Sequence, residues 1–254
     1  MRVSTRSWDG ADAVALAREL RRAVPDPASI AADVAAVIER VRDGGDATLI
    51  AETRDNDGVA PVELLLGRDA MARALDGLDP GLRTALEAAA ENIERTAASQ
   101  IDASPRTEML PQGQRVVSGR VAVGAAAVYA PGGRAVYPSS VLMGVVPARV
   151  AGVERVLVAS PPQSDGLPAP SVLAAASIAG ADAVLAAGGA QAIAALAHGT
   201  ESVDPVDVIA GPGGPWVQEA KLLVSRQVGI DGYAGPSELA VIFDSTAPIE
   251  WVAL

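Results

Sequence analysis

The chain has 254 residues, half of them hydrophobic, and a formal net charge of −11 at pH 7. This length suffices for one large domain or for two, and the acidic balance argues against nucleic acid or an anionic membrane as the main partner, because both bind basic surfaces. The absence of cysteine excludes disulfides, thiolate metal sites and cysteine nucleophiles.

The first 113 residues carry two helical patterns with a short strand between them. Ser29 and the Gly-Gly pair at 44–45 predict where the first helix begins and ends. Asp79 followed by Pro80 predicts the start of the second helix, and residues 61–67 (PVELLLG) predict the strand. The apolar stripes of the two helices, which we interpret as core faces without chemistry, are Ile30, Val34, Val37, Ile38 and Val41, and Leu82, Ala85, Leu86, Ala89, Ile93 and Ala97.

After residue 113 the pattern changes to strands that alternate with helices. Short runs rich in Val and Ala end near Tyr129, Ala159, Ala187, Ala210 and Phe243, and helices are predicted near 139–151, 171–179, 190–198 and 215–227. This alternation is typical of a doubly wound parallel sheet, in which ligands bind at the carboxyl ends of the strands. Three of those ends carry glycine turns, at 131–133, 188–189 and 211–214.

Bare glycine turns let a ligand approach the backbone, and the helix that follows each turn offers free N–H groups to an anion. They are equally the tight turns that any α/β protein needs between a strand and a helix. The dinucleotide fingerprint itself is absent, because the glycines at 211 and 213 are followed at the sixth position by Trp216, and no acidic residue directly follows the strand that ends at Ala159. The pattern alone therefore predicts only a nucleotide-type α/β domain.

Other polar residues have ordinary structural interpretations. His198 stands beside Gly199 and is predicted to complement the carboxyl end of a helix. Glu219 and Lys221 are two residues apart on a helix, and we interpret both as surface residues. Ser237 follows a turn and precedes a strand, and it is either a turn serine or a residue at the margin of a substrate site.

Four ordered segments together resemble the histidinol dehydrogenase family. They are residues 128–153 (VYAPGGRAVYPSSVLMGVVPARVAGV), 188–203 (GGAQAIAALAHGTESV), 211–224 (GPGGPWVQEAKLLV) and 229–242 (GIDGYAGPSELAVI). The resemblance implies an NAD-dependent oxidoreductase of histidine biosynthesis, which converts histidinol to histidine in two hydride transfers. It also implies a zinc ion that orients the substrate and a glutamate–histidine pair that transfers protons.

The resemblance implies roles for several residues of the glycine turns. Tyr129, Gln191 and Gly214 correspond to contacts of NAD, with Gly213 and Pro131 beside them in the same turns, and Ser237 corresponds to a contact of the amino-alcohol substrate. The family usually has asparagine where this chain has Gly214, and one lost side-chain hydrogen bond costs about 0.5–1.5 kcal/mol. The family also tends to carry an arginine shortly before the Tyr129 strand, where this chain has Ala125 and other alanines.

No residue of the chain corresponds to the family's zinc ligands or to its glutamate–histidine pair, and the resemblance implies that both lie beyond Leu254. We therefore predict no catalytic and no metal-binding residues, and we interpret the chain as an N-terminal portion of a family member that ends before the zinc ligands. Alone, it is expected to bind no zinc and to leave histidinol unoxidised. The alternatives are a related enzyme for another small alcohol, such as a sulfonated diol, and a non-catalytic nucleotide-binding remnant.

The predicted fold class is α/β, with a doubly wound Rossmann-like parallel sheet domain plus part of a second α/β domain. Residues 114–237 are predicted to form the Rossmann-like NAD-binding domain. Residues 1–25 are an N-terminal arm, 26–113 the first, helix-rich part of the second domain, and 238–254 the start of its returning half, with a strand at 239–243.

The same considerations predict a cytoplasmic protein. The N-terminus lacks the apolar core of a signal peptide, and the longest apolar stretch, 183–197, is too short to span a bilayer. The resemblance implies a homodimer, to which the segment around Trp8 would contribute, and a small-molecule substrate.

Overall fold

A computed structural model of the chain describes residues 10–22, 29–101, 104–133, 135–233, 241 and 243–248. Trp8, Ser237, Leu254 and most of the strand predicted at 239–243 lie outside these residues. The helices are α1 (Ala13–Arg22), α2 (Ala31–Asp57), α3 (Arg68–Asp76), α4 (Pro80–Gln100), α5 (Pro138–Val150), α6 (Pro170–Ala179), α7 (Gly189–His198) and α8 (Pro215–Val224). The strands are β1 (Leu65–Leu66), β2 (Arg106–Met109), β3 (Arg115–Ser118), β4 (Ala125–Tyr129), β5 (Arg155–Ser160), β6 (Ala183–Ala186), β7 (Val208–Ala210) and β8 (Gly229–Ile230).

The central sheet has the order β1-β6-β5-β4-β7-β8, in which β4 to β8 are parallel and β1 pairs antiparallel with β6. The chain runs outward from β4 through β5 to β6 and then returns to the other side of β4. This reversal creates a topological switch point between β4 and β7, where such sheets bind ligands. The predicted α/β fold with a doubly wound parallel sheet is confirmed.

Helices cover both faces of the sheet, so the central strands are buried. Every residue of β4 is buried. Ala125, Ala127 and Tyr129 pack towards α2, α7 and α8, whereas Ala126 and Val128 pack towards α3, α4, α5 and α6. Continuous apolar strands are what burial on both faces requires.

Helices α2, α3 and α4, which precede residue 113, thus lie on the same sheet as the later helices. The domain boundaries at 113/114 and 237/238 remain predictions. Among the described residues, none of the helices is long and apolar enough to cross a bilayer.

Helix α2 continues through the Gly-Gly pair that was predicted to end it. Gly45 has φ 55° and ψ −145°, which kinks the helix, and Asp46 resumes it. The side chain of Glu201 accepts a hydrogen bond from the Asp46 N–H at 2.7 Å, while the Asp46 carboxylate accepts one from Ser202 Oγ at 2.5 Å. The first helical segment of α2 thus ends at the predicted Gly-Gly pair, and a distant loop caps a second segment that follows directly and was not predicted.

The remaining N-terminal predictions were partly right. Asp79 caps α4, since its Oδ1 accepts a hydrogen bond from Leu82 N at 2.9 Å, and the predicted start of this helix is confirmed. The strand predicted at 61–67 shrinks to β1, and α2 has Ile30 rather than Ser29 at its N-cap position. The sequence analysis missed α1, α3, the β2–β3 hairpin and β8.

Asp182 joins three elements on the face of the sheet that α3 to α6 cover. Its carboxylate binds Arg68 of α3 at 2.7 Å and Arg149 of α5 at 2.6 Å, and it accepts the N–H of Val156 in β5 at 2.9 Å. Partial burial alone would raise the pKa of Asp182, but these three hydrogen bonds outweigh burial and hold the pKa below its usual value.

We expect Asp182→Asn to lower the free energy of unfolding by about 1–3 kcal/mol at pH 7, because it removes hydrogen bonds to a charged group. The lowered pKa adds a pH dependence. The stabilisation from the carboxylate is complete above its unfolded pKa, near 3.8, and disappears as the pH falls through the lower folded pKa. Urea titrations at neutral and acidic pH measure both effects. Asp43→Asn, at a carboxylate whose side chain is 70% exposed, is the control and should change little. Equal stability of the two variants at pH 7 would contradict the role given to Asp182.

Candidate functional site

The candidate site lies at the carboxyl ends of β4, β6 and β7, where the three glycine turns follow the strands. The turns after β4 and β7 meet at the switch point. A Cβ on Gly211 would lie 2.3 Å from the backbone oxygen of Tyr129, so the two turns approach as closely as glycine allows. The turn after β6 reaches the same edge through the side chain of Tyr129.

Tyr129 ends β4, and its side chain is 5% exposed. Its hydroxyl accepts a hydrogen bond at 3.1 Å from the N–H of Gly189, in the first turn of α7. Burial raises the pKa of Tyr129 to about 12, with the Gly189 hydrogen bond opposing the rise and the nearby charge of Asp57 adding to it. The phenol therefore keeps its hydrogen at neutral pH and can donate a hydrogen bond as well as accept one.

Gln191 lies in the first turn of α7 and is 2% exposed. Its Nε2 donates to Oδ2 of Asp57 at 3.4 Å, and its Oε1 would lie 2.5 Å from a Cβ on Gly189. Gly189 has φ 59°, a left-handed backbone conformation that favours glycine. The side-chain amide of Gln191 also leaves too little room for a Cβ at this position. The structure thus brings Tyr129 and Gln191 together around the amino end of α7.

Asp57 is a site residue that the sequence analysis missed. It is the last residue of α2, and its carboxylate accepts the N–H of Gly188 as well as the Gln191 hydrogen bond. Partial burial of its carboxylate raises the pKa of Asp57, and the hydrogen bond from Gly188 opposes this rise. No sequence motif pointed to this residue, because the contact joins positions 134 residues apart.

The turn after β4 forms a bare cradle beside the end of β5. A Cβ on Gly132 would lie 3.0 Å from Oγ of Ser160 and 3.3 Å from Pro161, so only glycine leaves this space open. Ser160 is fully buried, and its Oγ has no hydrogen-bond partner among the described residues. Pro131 is half-buried in the same turn. Gly132 is itself buried, and its carbonyl accepts a hydrogen bond from Nε2 of Gln163 at 3.1 Å, so the Ser160 hydroxyl is the polar group that this turn leaves unpaired among the described residues.

The turn after β7 leads into α8. A Cβ on Gly213 would lie 2.4 Å from Val217, so this glycine lets the turn pack closely on its helix. Gly214 is the exposed N-cap residue of α8, and nothing lies within 4 Å of a Cβ at this position. The space that a side chain at 214 would first enter is therefore open.

An ion pair between a buried lysine and a partly exposed aspartate fixes the start of this turn. Lys221 of α8 is fully buried, donates to the backbone oxygen of Gly211 at 3.0 Å and pairs with Asp231, which follows β8. Asp231 in turn accepts the N–H of Gly211 at 2.8 Å. The N–H of Gly211 is thus bound by Asp231, and the carbonyl oxygen of Gly211 is bound by Lys221.

The interpretation of Glu219 and Lys221 as surface residues was wrong, since both are buried. The sequence did contain a pattern that predicts the burial of Lys221. Val217, Lys221 and Val224 recur at helical spacing, which places the lysine on the apolar stripe of α8.

His198 does not belong to this cluster. It is the last residue of α7, as predicted, whereas the site surrounds the first turn of that helix. Burial lowers the pKa of His198, and the charge of Arg42 lowers it further.

Two predictions about the site concern positions outside the described residues. Ser237 is one of them, so its contact with substrate stays a prediction. Leu254 is the other, and the expectation that the zinc ligands and the glutamate–histidine pair lie beyond Leu254 rests on the family resemblance alone. The described part of the candidate site therefore groups Tyr129 and Gln191 at the amino end of α7, and Gly214 lies in the turn after the neighbouring strand β7.

Comparison with known proteins agrees with this architecture. The family model described as histidinol dehydrogenase matches residues 20–254. The chain is 44% identical over 237 residues to a histidinol dehydrogenase of Methanothermobacter thermautotrophicus, covering 92% of this chain and 55% of the relative. It is 49% identical over 217 residues to that of Natronomonas pharaonis, covering 85% and 50%.

A solved structure gives the same answer at the level of the fold. The crystal structure of histidinol dehydrogenase from Elizabethkingia anophelis matches with a TM-score of 0.79 and 33% identity, covering 91% of this chain and 52% of that one. The chain spans about half the length of the curated relatives it matches. On the family model and these relatives, the chain belongs to the histidinol dehydrogenase family.

Proposed function

We propose that this chain binds NAD at the carboxyl edge of its parallel sheet and acts in the NAD-dependent oxidation of histidinol to histidine. The observation that carries the proposal is the buried Tyr129 phenol, joined to the Gly189 N–H at the amino end of α7 and lying beside Gln191. NAD supplies the hydride acceptor for the oxidation of an alcohol. The residues of this chain bind and orient it.

The described residues fit a dinucleotide in two respects. The hydroxyl of Ser160 is an unpaired polar group beside the glycine turn that follows β4, next to the switch point. The amino end of α8 begins at the same edge, and the partial positive charge of this helix terminus favours the negative charge of a pyrophosphate. Tyr129, Pro131, Gln191, Gly213 and Gly214 would hold the cofactor, and Ser237 would contact the substrate.

The described residues do not fit zinc. Among them, no three histidine, cysteine, aspartate or glutamate side chains lie together as a metal site requires, and the sequence contains one histidine and no cysteine. We therefore assign none of them a role in metal binding or in the proton transfer of the reaction. The family resemblance supports a homodimer in the cytoplasm, and both are part of the proposal.

We expect NAD to bind the chain saturably in a calorimetric titration, and Gly214→Asn to tighten that binding by up to about tenfold. One added hydrogen bond contributes about 0.5–1.5 kcal/mol, and the open space at 214 accommodates the amide. Gly214→Ala adds the Cβ without the amide and is the matched control. A wild-type chain that binds no NAD would reject the proposed function. Binding that Gly214→Asn leaves unchanged would reject only the role of Gly214.

A further inference from the structure

The position of Asp57 at the carboxyl end of α2 is not explained by a contribution to the stability of that helix. It ends α2, where a negative charge is disfavoured by the partial negative charge of the helix terminus, by about 0.3–1 kcal/mol. Among the described residues, no lysine or arginine forms an ion pair with it. Its carboxylate is paired only with neutral donors, the N–H of Gly188 and the amide of Gln191, and the residue remains exposed to solvent.

The position of Asp57 relative to the sheet is the second observation. A Cβ on Gly188 would lie 2.8 Å from Pro161, which directly follows β5, and 3.3 Å from each carboxylate oxygen of Asp57. Asp57 therefore stands beside the ends of β5 and β6. In doubly wound dinucleotide-binding sheets, the second strand of the unit carries an acidic residue at its end that binds a ribose hydroxyl. In this chain β5 is that strand, and Ser160, Pro161 and Pro162 leave its end without an acid.

We propose that Asp57 supplies the missing carboxylate, binds a ribose hydroxyl of the adenosine half of NAD, and disfavours NADP by repelling its 2′-phosphate. The inference rests on the proposed NAD site. The carboxylate of Asp57, at the end of α2, takes the place of the acidic residue that is absent from the end of β5. Gln191 Nε2 and the Gly188 N–H orient the carboxylate, while its exposed side remains open to a hydroxyl donor. The competing interpretation is purely structural, with Asp57 serving only as a cap for the amino end of α7.

The ratio of NADP affinity to NAD affinity separates these interpretations, because a structural cap has no means of changing it. We expect the wild-type chain to bind NAD at least about tenfold more tightly than NADP in calorimetric titrations. In Asp57→Asn this preference should fall by about tenfold or more, with NAD binding weakened and NADP binding strengthened. Stronger NADP binding is a gain that misfolding cannot produce.

Asp55→Asn is the matched control, because it removes the same charge from an exposed position two residues earlier in α2. It should leave the preference for NAD unchanged. If Asp57→Asn lowers the melting temperature but keeps the wild-type preference, Asp57 is a structural cap and the inference is wrong.

Two further outcomes are decided by the wild-type chain alone, even if the Asp57 variant fails to fold. Equal affinity for NAD and NADP would overturn the inference while leaving the proposed function in place. No binding of either dinucleotide would overturn both.

Discussion

Replacing Asp231 with asparagine is expected to lower the free energy of unfolding by about 3 kcal/mol, because it leaves the fully buried ammonium of Lys221 without its counter-charge. This is the lower end for a broken buried pair, since 38% of the side chain of Asp231 remains exposed. Urea denaturation at neutral pH measures the loss. The asparagine still offers an oxygen to the Gly211 N–H, so the effect isolates the charge.

Removing the charge of Lys221 should change the free energy of unfolding by a different amount from removing the charge of Asp231. Lys221→Met leaves a carboxylate that water can reach, and it should cost less than Asp231→Asn. The double variant, Lys221→Met with Asp231→Asn, leaves no buried charge and should be more stable than Asp231→Asn alone. An Asp231→Asn variant as stable as the wild type would mean that the pair does not hold Lys221 in solution.

The second large effect is expected at Gly211, where alanine should destabilise the fold by about 3–5 kcal/mol. The residue has φ 122°, which L-amino acids rarely adopt. The added Cβ would also lie 2.3 Å from the backbone oxygen of Tyr129 and 2.9 Å from its nitrogen, and backbone atoms of a central strand cannot move aside cheaply.

Gly214→Ala is the control for this variant in the same turn. Its φ is −67° and its Cβ would enter open space, so we expect little change in the free energy of unfolding. The comparison also reports on the site, because displacing Tyr129 should weaken NAD binding in Gly211→Ala as well. Similar unfolding free energies for the two alanine variants would show that the turns after β4 and β7 are not in close contact.

Much of the fold was predictable because its signals are local. The Val- and Ala-rich strands, the glycine turns that follow them and the helices between them predicted β4 to β7 and α5 to α8 to within a few residues. The capped start of α4 was equally clear from Asp79 and Pro80. The missed strand β8 has two residues, which is too short for an alternating pattern to be recognised, and β1, predicted at 61–67, is equally short in the structure.

Local signals failed where a distant residue supplied the missing hydrogen bond. Two adjacent glycines predict a helix end, and Gly45 does interrupt the helix, but the second segment that begins at once was not predicted, because its first N–H is satisfied by the distant Glu201. Likewise, a lysine predicts exposure, yet Asp231 and the Gly211 carbonyl stabilise Lys221 in the core.

By itself the sequence determined the doubly wound α/β fold and the family, and through the family it pointed to Tyr129, Gln191 and Gly214. The strands, helices and turns of this fold are set by short stretches of sequence, in which the conformation of each residue depends mainly on its immediate neighbours. Only the tertiary structure decided that Asp57 stands beside Gly188 and that Lys221 and Asp231 hold Gly211. Those contacts join separate elements whose approach is set by the packing of α2, α7 and α8 on the sheet. A hydrogen bond or ion pair between residues that are far apart in the sequence produces no periodic pattern along the chain, so the sequence alone does not predict it.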